Sequence, residues 1–128
     1  MKLGALVDTR FITAFNQLME QDVSAKAAWN ISKMSKQINE HIKEYEASRQ
    51  KLLKKYGTLN EDGSYVLDSA NNVVFKDGQS DLFQKELSEL QDVDAAIHKI
   101  KIDDIVDAKL SAISIEFLAP VLEHMASV

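Results

Sequence analysis

Arg49, Lys54, Lys55, Tyr56 and Tyr65 gather cationic and aromatic side chains around one turn-rich stretch, KKYGTLNEDGSYVLDSANNVVFKDG, from Lys54 to Gly78. Such a set could hold a nucleotide, since cations meet phosphates and rings meet bases. The same stretch carries Asn60, Asp62, Asp68 and Asp77, which suggests a calcium loop. Spacing rejects that reading. If Gly63 is the loop glycine, Thr58 and Ser69 fall where the first aspartate and the closing glutamate belong; Gly78 would put Val73 first. The carboxylates fit better as side chains that bond their own backbone in turns.

Elsewhere the residues that could do chemistry are dispersed. His41, His98 and His124 are far apart and share no metal-binding spacing such as HExxH. Asp92, Asp94, Asp103, Asp104 and Asp107 form a run that acid–base catalysis or a metal-dependent hydrolase could use only if two of them met in a cleft. A short acidic connection is the simpler expectation. The serines lack a GxSxG elbow, and four glycines without GxGxxG spacing make no phosphate cradle. The expectation is therefore a protein without catalytic residues, metal or cofactor.

Composition narrows the class further. At 128 residues with 45% hydrophobic and 27% charged side chains, the chain has the size and balance of one globular domain, residues 1–128. It contains no cysteine. A disulfide framework and thiolate metal sites are excluded, and a reducing interior is the easiest setting. No apolar run is long enough to span a membrane, and Asp8 and Arg10 interrupt any signal-like start, so neither secretion nor anchoring is expected. A net charge of −5 disfavours general nucleic-acid binding. The cluster Arg49, Lys51, Lys54 and Lys55 reads as a solvated helix end that complements the helix dipole.

The elements that must position these residues are mostly helical. Phe11, Ile12, Phe15, Leu18 and Met19 predict a helix over 8–21, capped by Asp8 or Thr9. Ser24 opens a long helix over 24–56, with Ile31, Met34, Ile38, Ile42, Tyr45, Leu52 and Tyr56 on one stripe and Gly57 ending it as the residue after its last turn. Such a helix would measure roughly 50 Å, longer than a domain of this size is wide, so part of it should project and need a partner. Leu82, Phe83, Leu87 and Leu90 predict that partner over 80–91, running antiparallel. Between them, GSYVL and NVVFK predict a β-hairpin over 64–76, with Tyr56, Tyr65 and Phe75 as a small aromatic cluster. Ile100 and Ile102 alternate with lysines and predict a strand over 97–103. A helical segment over 110–126 follows, kinked or restarted at Pro120. No internal repeat is evident. Trp29 is the single tryptophan; beside Ala27 and Ala28 it is expected in the core, the alternative being a partner-binding hot spot.

The fold class expected is α+β, mostly helical: a long helix and a second helix in an antiparallel hairpin linked by a β-hairpin, plus a short extra strand and terminal helices. Residues Leu52 to Gly57, Asp62, Gly63, Phe83, Lys85, Glu86, Leu90 and Ile100 to Ile105 carry a pattern that resembles a family of small phage and prophage proteins of unknown function. In that family a "LLKKYG"-like helix end leads into an acidic glycine turn, an "F-x-K-E-x-x-E-L" helix and an "I-x-I-x-D-L" strand. The C-terminal ISIEFLAPVLEHM departs from the pattern. The layout is also similar to prefoldin-type chaperone subunits. The first resemblance implies a phage origin and bears on fold more than on activity. With the projecting amphipathic helix of a small acidic chain, the expectation is a non-enzymatic, phage-encoded protein that binds other proteins, in the host cytoplasm or with the virion, as an assembly or structural accessory and as a possible homo-oligomer. The alternative expectation is an anti-defence protein that blocks a bacterial immune protein or sequesters a nucleotide messenger. The interaction residues expected are Trp29, Arg49, Lys54, Lys55, Tyr56, Tyr65 and Phe75.

Overall fold

The structure is a computed structural model that describes residues 1–101 and 116–123. A four-residue helix, α1 (Leu3–Leu6), leads into α2 (Thr9–Met19), the long α3 (Ala25–Tyr56) and α4 (Ser80–Gln91). Local chemistry sets these starts. The Asp8 carboxylate accepts the Arg10 backbone N–H at 2.9 Å and so caps α2. Ser24 does the same for α3, its hydroxyl accepting the Ala27 N–H at 3.2 Å. Phe11, Ala14, Phe15 and Leu18 recur at steps of three and four and give α2 one buried side.

Along α3, Ala27, Ile31, Met34, Ile38 and Tyr45 are buried in a main core, and Leu53 and Tyr56 in a second. The main core is filled by Leu6, Phe11 and Leu18 from the N-terminal helices, with Ile100, Leu118 and Val121 from the far end of the chain. The second core pairs the last turn of α3 with Phe83 of α4. α4 runs back along α3: Lys55 meets Glu86 at 3.5 Å, and Gln91 donates to the Tyr45 hydroxyl at 3.2 Å. The distal half of the long helix is therefore covered on one side by α4 and the 57–79 segment.

After α4 the chain is pinned to α3 by polar contacts. His41 Nε2 lies 2.8 Å from the Ala96 carbonyl, and His98 Nε2 lies 2.9 Å from Asn30 Oδ1. Residues 93–95 also pair with the N-terminus, the Leu3 N–H donating to the Val93 carbonyl and the Ala95 N–H to the Met1 carbonyl. This path delivers Ile100 to the main core, where β1 (Ile100–Lys101) pairs in parallel with β2 (Leu122–Glu123). Between them Pro120 lies in a 3-10 turn, Ala119–Val121, preceded by helical residues 116–118. The rest of the expected segment 110–126 lies outside the described residues.

The α+β expectation is overturned: the described residues are predominantly helical, and neither the β-hairpin over 64–76 nor the strand over 97–103 is formed as such. Of the strand expected over 97–103, only Ile100 and Lys101 are extended among the described residues 97–101, and their partner is Leu122–Glu123. In the 57–79 segment only isolated antiparallel bridges occur: Gly57 with Phe75, Leu59 with Tyr65, and Leu67 with Val73. The physical reason is turn spacing. Turns close by bonds from Gly63 to Asn60, Asn71 to Asp68 and Gln79 to Lys76, one about every eight residues, so each extended leg is only three residues long. The middle residues of the legs then bond in a closed ring: the Thr58 N–H donates to the Val74 carbonyl, Val74 to Val66 and Val66 to Thr58, at 2.8, 2.9 and 2.9 Å. The three legs thus form a structural repeat, where no internal repeat was expected.

Gly57 ends α3 as expected. Its φ of −79° and ψ of 154° are extended rather than left-handed. A glycine is needed there for space, because a Cβ would lie 2.5 Å from the Leu53 carbonyl oxygen and 3.1 Å from Val73 Cγ1.

Candidate interaction surfaces

The three-legged segment forms a tip at the C-terminal end of α3. Its inward side is apolar: the Phe75 and Phe83 rings are 4.7 Å apart, and Tyr65 and Val73 pack on the same cluster. The Tyr65 hydroxyl donates to Gln50 Oε1 at 3.3 Å, which fastens the second leg to α3. Outward the tip exposes Leu59 and Leu67, 42% and 52% accessible, among the exposed carboxylates of Glu61, Asp62, Asp68 and Asp77. Ser64 donates to Asp62 through its backbone N–H and its hydroxyl, and these bonds hold that carboxyl below its usual range. The turn role expected of Asp62 and Asp68 is thus visible in the bonds they accept.

The cationic and aromatic set does not converge on one pocket. Tyr56 is buried in the second core, and the Lys55 ammonium lies 5.0 Å over its ring. The Tyr56 hydroxyl first, and then the Glu86 carboxylate, raise the Lys55 pKa. The same hydroxyl, opposed by partial burial and reinforced by Lys55, keeps the Glu86 carboxyl below its ordinary range. Arg49 instead pairs with Glu46 at 3.4 Å and borders a separate groove of about 420 Å³ with Val7, Ile12 and Ile42. Lys54 is exposed. Phe75 and Tyr65 pack inward on the second core, so the residues expected to grip a nucleotide are divided among a core, an ion pair and open solvent.

Trp29 corrects the expectation of a core residue. It is 59% exposed, with the Lys33 ammonium 4.2 Å over its ring. Two positions beyond buried Ala27, it stands about 200° round the helix, on the opposite side. Lys26, Lys33, Lys36, Lys43, Lys51 and Lys54 are all exposed along α3 and share this outward side by their spacing. The face extends roughly 38 Å from Trp29 to Lys54. Eight of the chain's fifteen cationic side chains but only three of its twenty carboxylates lie on α3. Counting charge by element, rather than over the chain, is the sequence signal that would have found it. Beside the N-terminal part of this face, Met19, Val23, Ala28, Ile31, Ser32 and Lys36 line an open groove of about 390 Å³ at the α2–α3 corner.

The acidic run offers no assembled site within reach of description. Asp92 and Asp94 are exposed and face Lys2 at 3.4 and 3.8 Å. Asp103, Asp104, Asp107 and His124 lie outside the described residues. Among the described residues, no group of three or more histidines and carboxylates could hold a metal ion, and no helix is long and apolar enough to cross a membrane. No family model, curated protein or solved structure matches this chain.

Proposed function

We propose that this chain is a non-enzymatic protein-interaction module that serves as an assembly or structural accessory, with the outward face of α3 as its principal contact surface. The observation that supports this reading is the exposure of Trp29 within a line of lysines on a helix whose opposite side is committed to two cores. A tryptophan held on a rigid helix loses little freedom on binding, and burying its ring contributes most when the surrounding contacts exclude water. The adjoining apolar groove at the α2–α3 corner extends the surface that a partner could cover.

A photocrosslinking amino acid at position 29, in cells that express the full chain, tests the reading. A discrete protein adduct at position 29, absent from exposed position 39 on a different part of α3, is the expected result. Equal, diffuse labelling at both positions would remove α3's outward face as a specific contact.

A further inference from the structure

We infer that copies of this chain associate head to tail, the acidic tip of one seating on the lysine–tryptophan face of the next. This inference rests on the protein-binding reading above and names the partner as a second copy. Its first support is charge. The net charge of −5 is unevenly divided: α3 carries +5 and the remainder −10. In the tip, Glu61, Asp62, Asp68 and Asp77 face solvent with Lys76 as the only cation. Complementary surfaces of this kind steer encounter and fix register.

Apolar exposure matches the charge. Leu59 and Leu67 stand out among the tip carboxylates, just as Trp29 and Met19 stand out near Lys33 and Lys36. Each surface thus offers an apolar centre within an excess of one sign, interrupted by Glu40 and Glu44 on the helix face and by Lys76 in the tip, and the two excesses are opposite. The tip cannot reach the Trp29 region of its own chain, because Tyr56, where the tip begins, lies about 40 Å along α3 from it. Satisfying both surfaces requires another molecule. Two different patches in contact make a heterologous interface, which closes into a ring or continues as a filament. A nucleic acid is the less suited occupant: the whole chain repels phosphates, and the lysine over Trp29 covers one face of the only exposed indole.

Sedimentation velocity on the full chain tests the inference at low and high salt over a wide concentration range. Association that weakens with salt is expected. Lys33→Glu with Lys36→Glu reverses the face, and Glu61→Lys with Asp77→Lys reverses the tip without touching the turn bonds of Asp62 and Asp68. Each double variant should weaken self-association by at least about tenfold. Mixed together they should associate again, since each copy then meets a complementary neighbour. Recovery on mixing also requires both variants to fold, and circular dichroism of each alone checks this independently. A protein that stays monomeric throughout would overturn the inference, as would association that the tip reversal leaves unchanged. Binding of a mixed-sequence DNA duplex to the α3 face without self-association would overturn it too. A strict monomer that still gives a discrete heterologous adduct at position 29 would leave the interaction module standing and remove only the self-association.

Discussion

The Lys33 ammonium sits 4.2 Å above the Trp29 ring, one turn further along the outward face of α3. The contact joins a large apolar surface to a charge in open solvent, where a cation–π pair contributes only about 0.5–1 kcal/mol. Trp29→Ala should therefore change stability by less than about 1 kcal/mol in urea denaturation. If the side chain instead proved to be worth several kcal/mol, it would be acting as core, and the contact surface assigned here would lose its anchor.

Two cores strung along one helix should respond separately to truncation. Met34 is fully buried in the main core, and Phe83 is buried at 5% exposure in the distal one. Met34→Ala should destabilise the whole fold by about 2–5 kcal/mol, and Phe83→Ala by about 3–5 kcal/mol within its own cluster. Native-state hydrogen exchange distinguishes the two. Phe83→Ala should unprotect the Thr58, Val66 and Val74 amides while those of Ile31 to Ile38 stay slow. Uniform loss across both sets would mean a single cooperative unit.

Corner geometry at the tip gives a third test. Asn71 has φ of 63°, a left-handed position that asparagine tolerates and alanine does not, while Gly63 and Gly78 occupy similar conformations at 85° and 70°. Asn71→Gly should be close to neutral and Asn71→Ala should cost about 1 kcal/mol. Thermal denaturation of the pair reads the order, and an alanine variant as stable as wild type would contradict a strained second corner.

Helical content was legible because apolar residues recur at three and four over 11 residues in α2 and 32 in α3, and because Asp8 and Ser24 are good caps. The tip was not. Each leg is three residues long, shorter than any window in which alternation can be recognised, and each middle residue bonds two different legs rather than one partner strand. Val73 and Phe75 read as one strand of a hairpin, yet the bridge of Phe75 is to Gly57, eighteen residues earlier. Trp29 misled for another reason: small apolar neighbours suggested burial, while its angular position relative to Ala27 decides exposure. Of the expected interaction residues, Lys55, Tyr56, Tyr65 and Phe75 gather at the tip, but mainly to build its inner side.

Acid should loosen the start of α2 in a defined window. The Arg10 side chain, bonded to both Asp8 oxygens at 3.1 and 2.8 Å, and then the Arg10 backbone N–H, hold the Asp8 carboxyl down from its ordinary 3.8 to about 2. A carboxyl depressed in the fold stabilises it in the ionised form. That contribution is complete above the unfolded value and is lost as pH falls through the folded one. Asp8→Asn keeps a capping oxygen but removes the titration. In thermal melts, wild type should therefore exceed the variant at neutral pH, approach it between about pH 4 and 2, and match it below. Comparison with the variant separates Asp8 from Asp62 and Glu86, whose carboxyls are also depressed and lower the stability of both proteins in acid. Arg10 also lies 4.8 Å over the Phe117 ring, so loss of its Asp8 anchor reaches the C-terminal turn that supplies Leu118 and Val121 to the main core. Parallel melting curves for wild type and Asp8→Asn from neutral pH down to acid would show that the Asp8–Arg10 pair does not stabilise this corner.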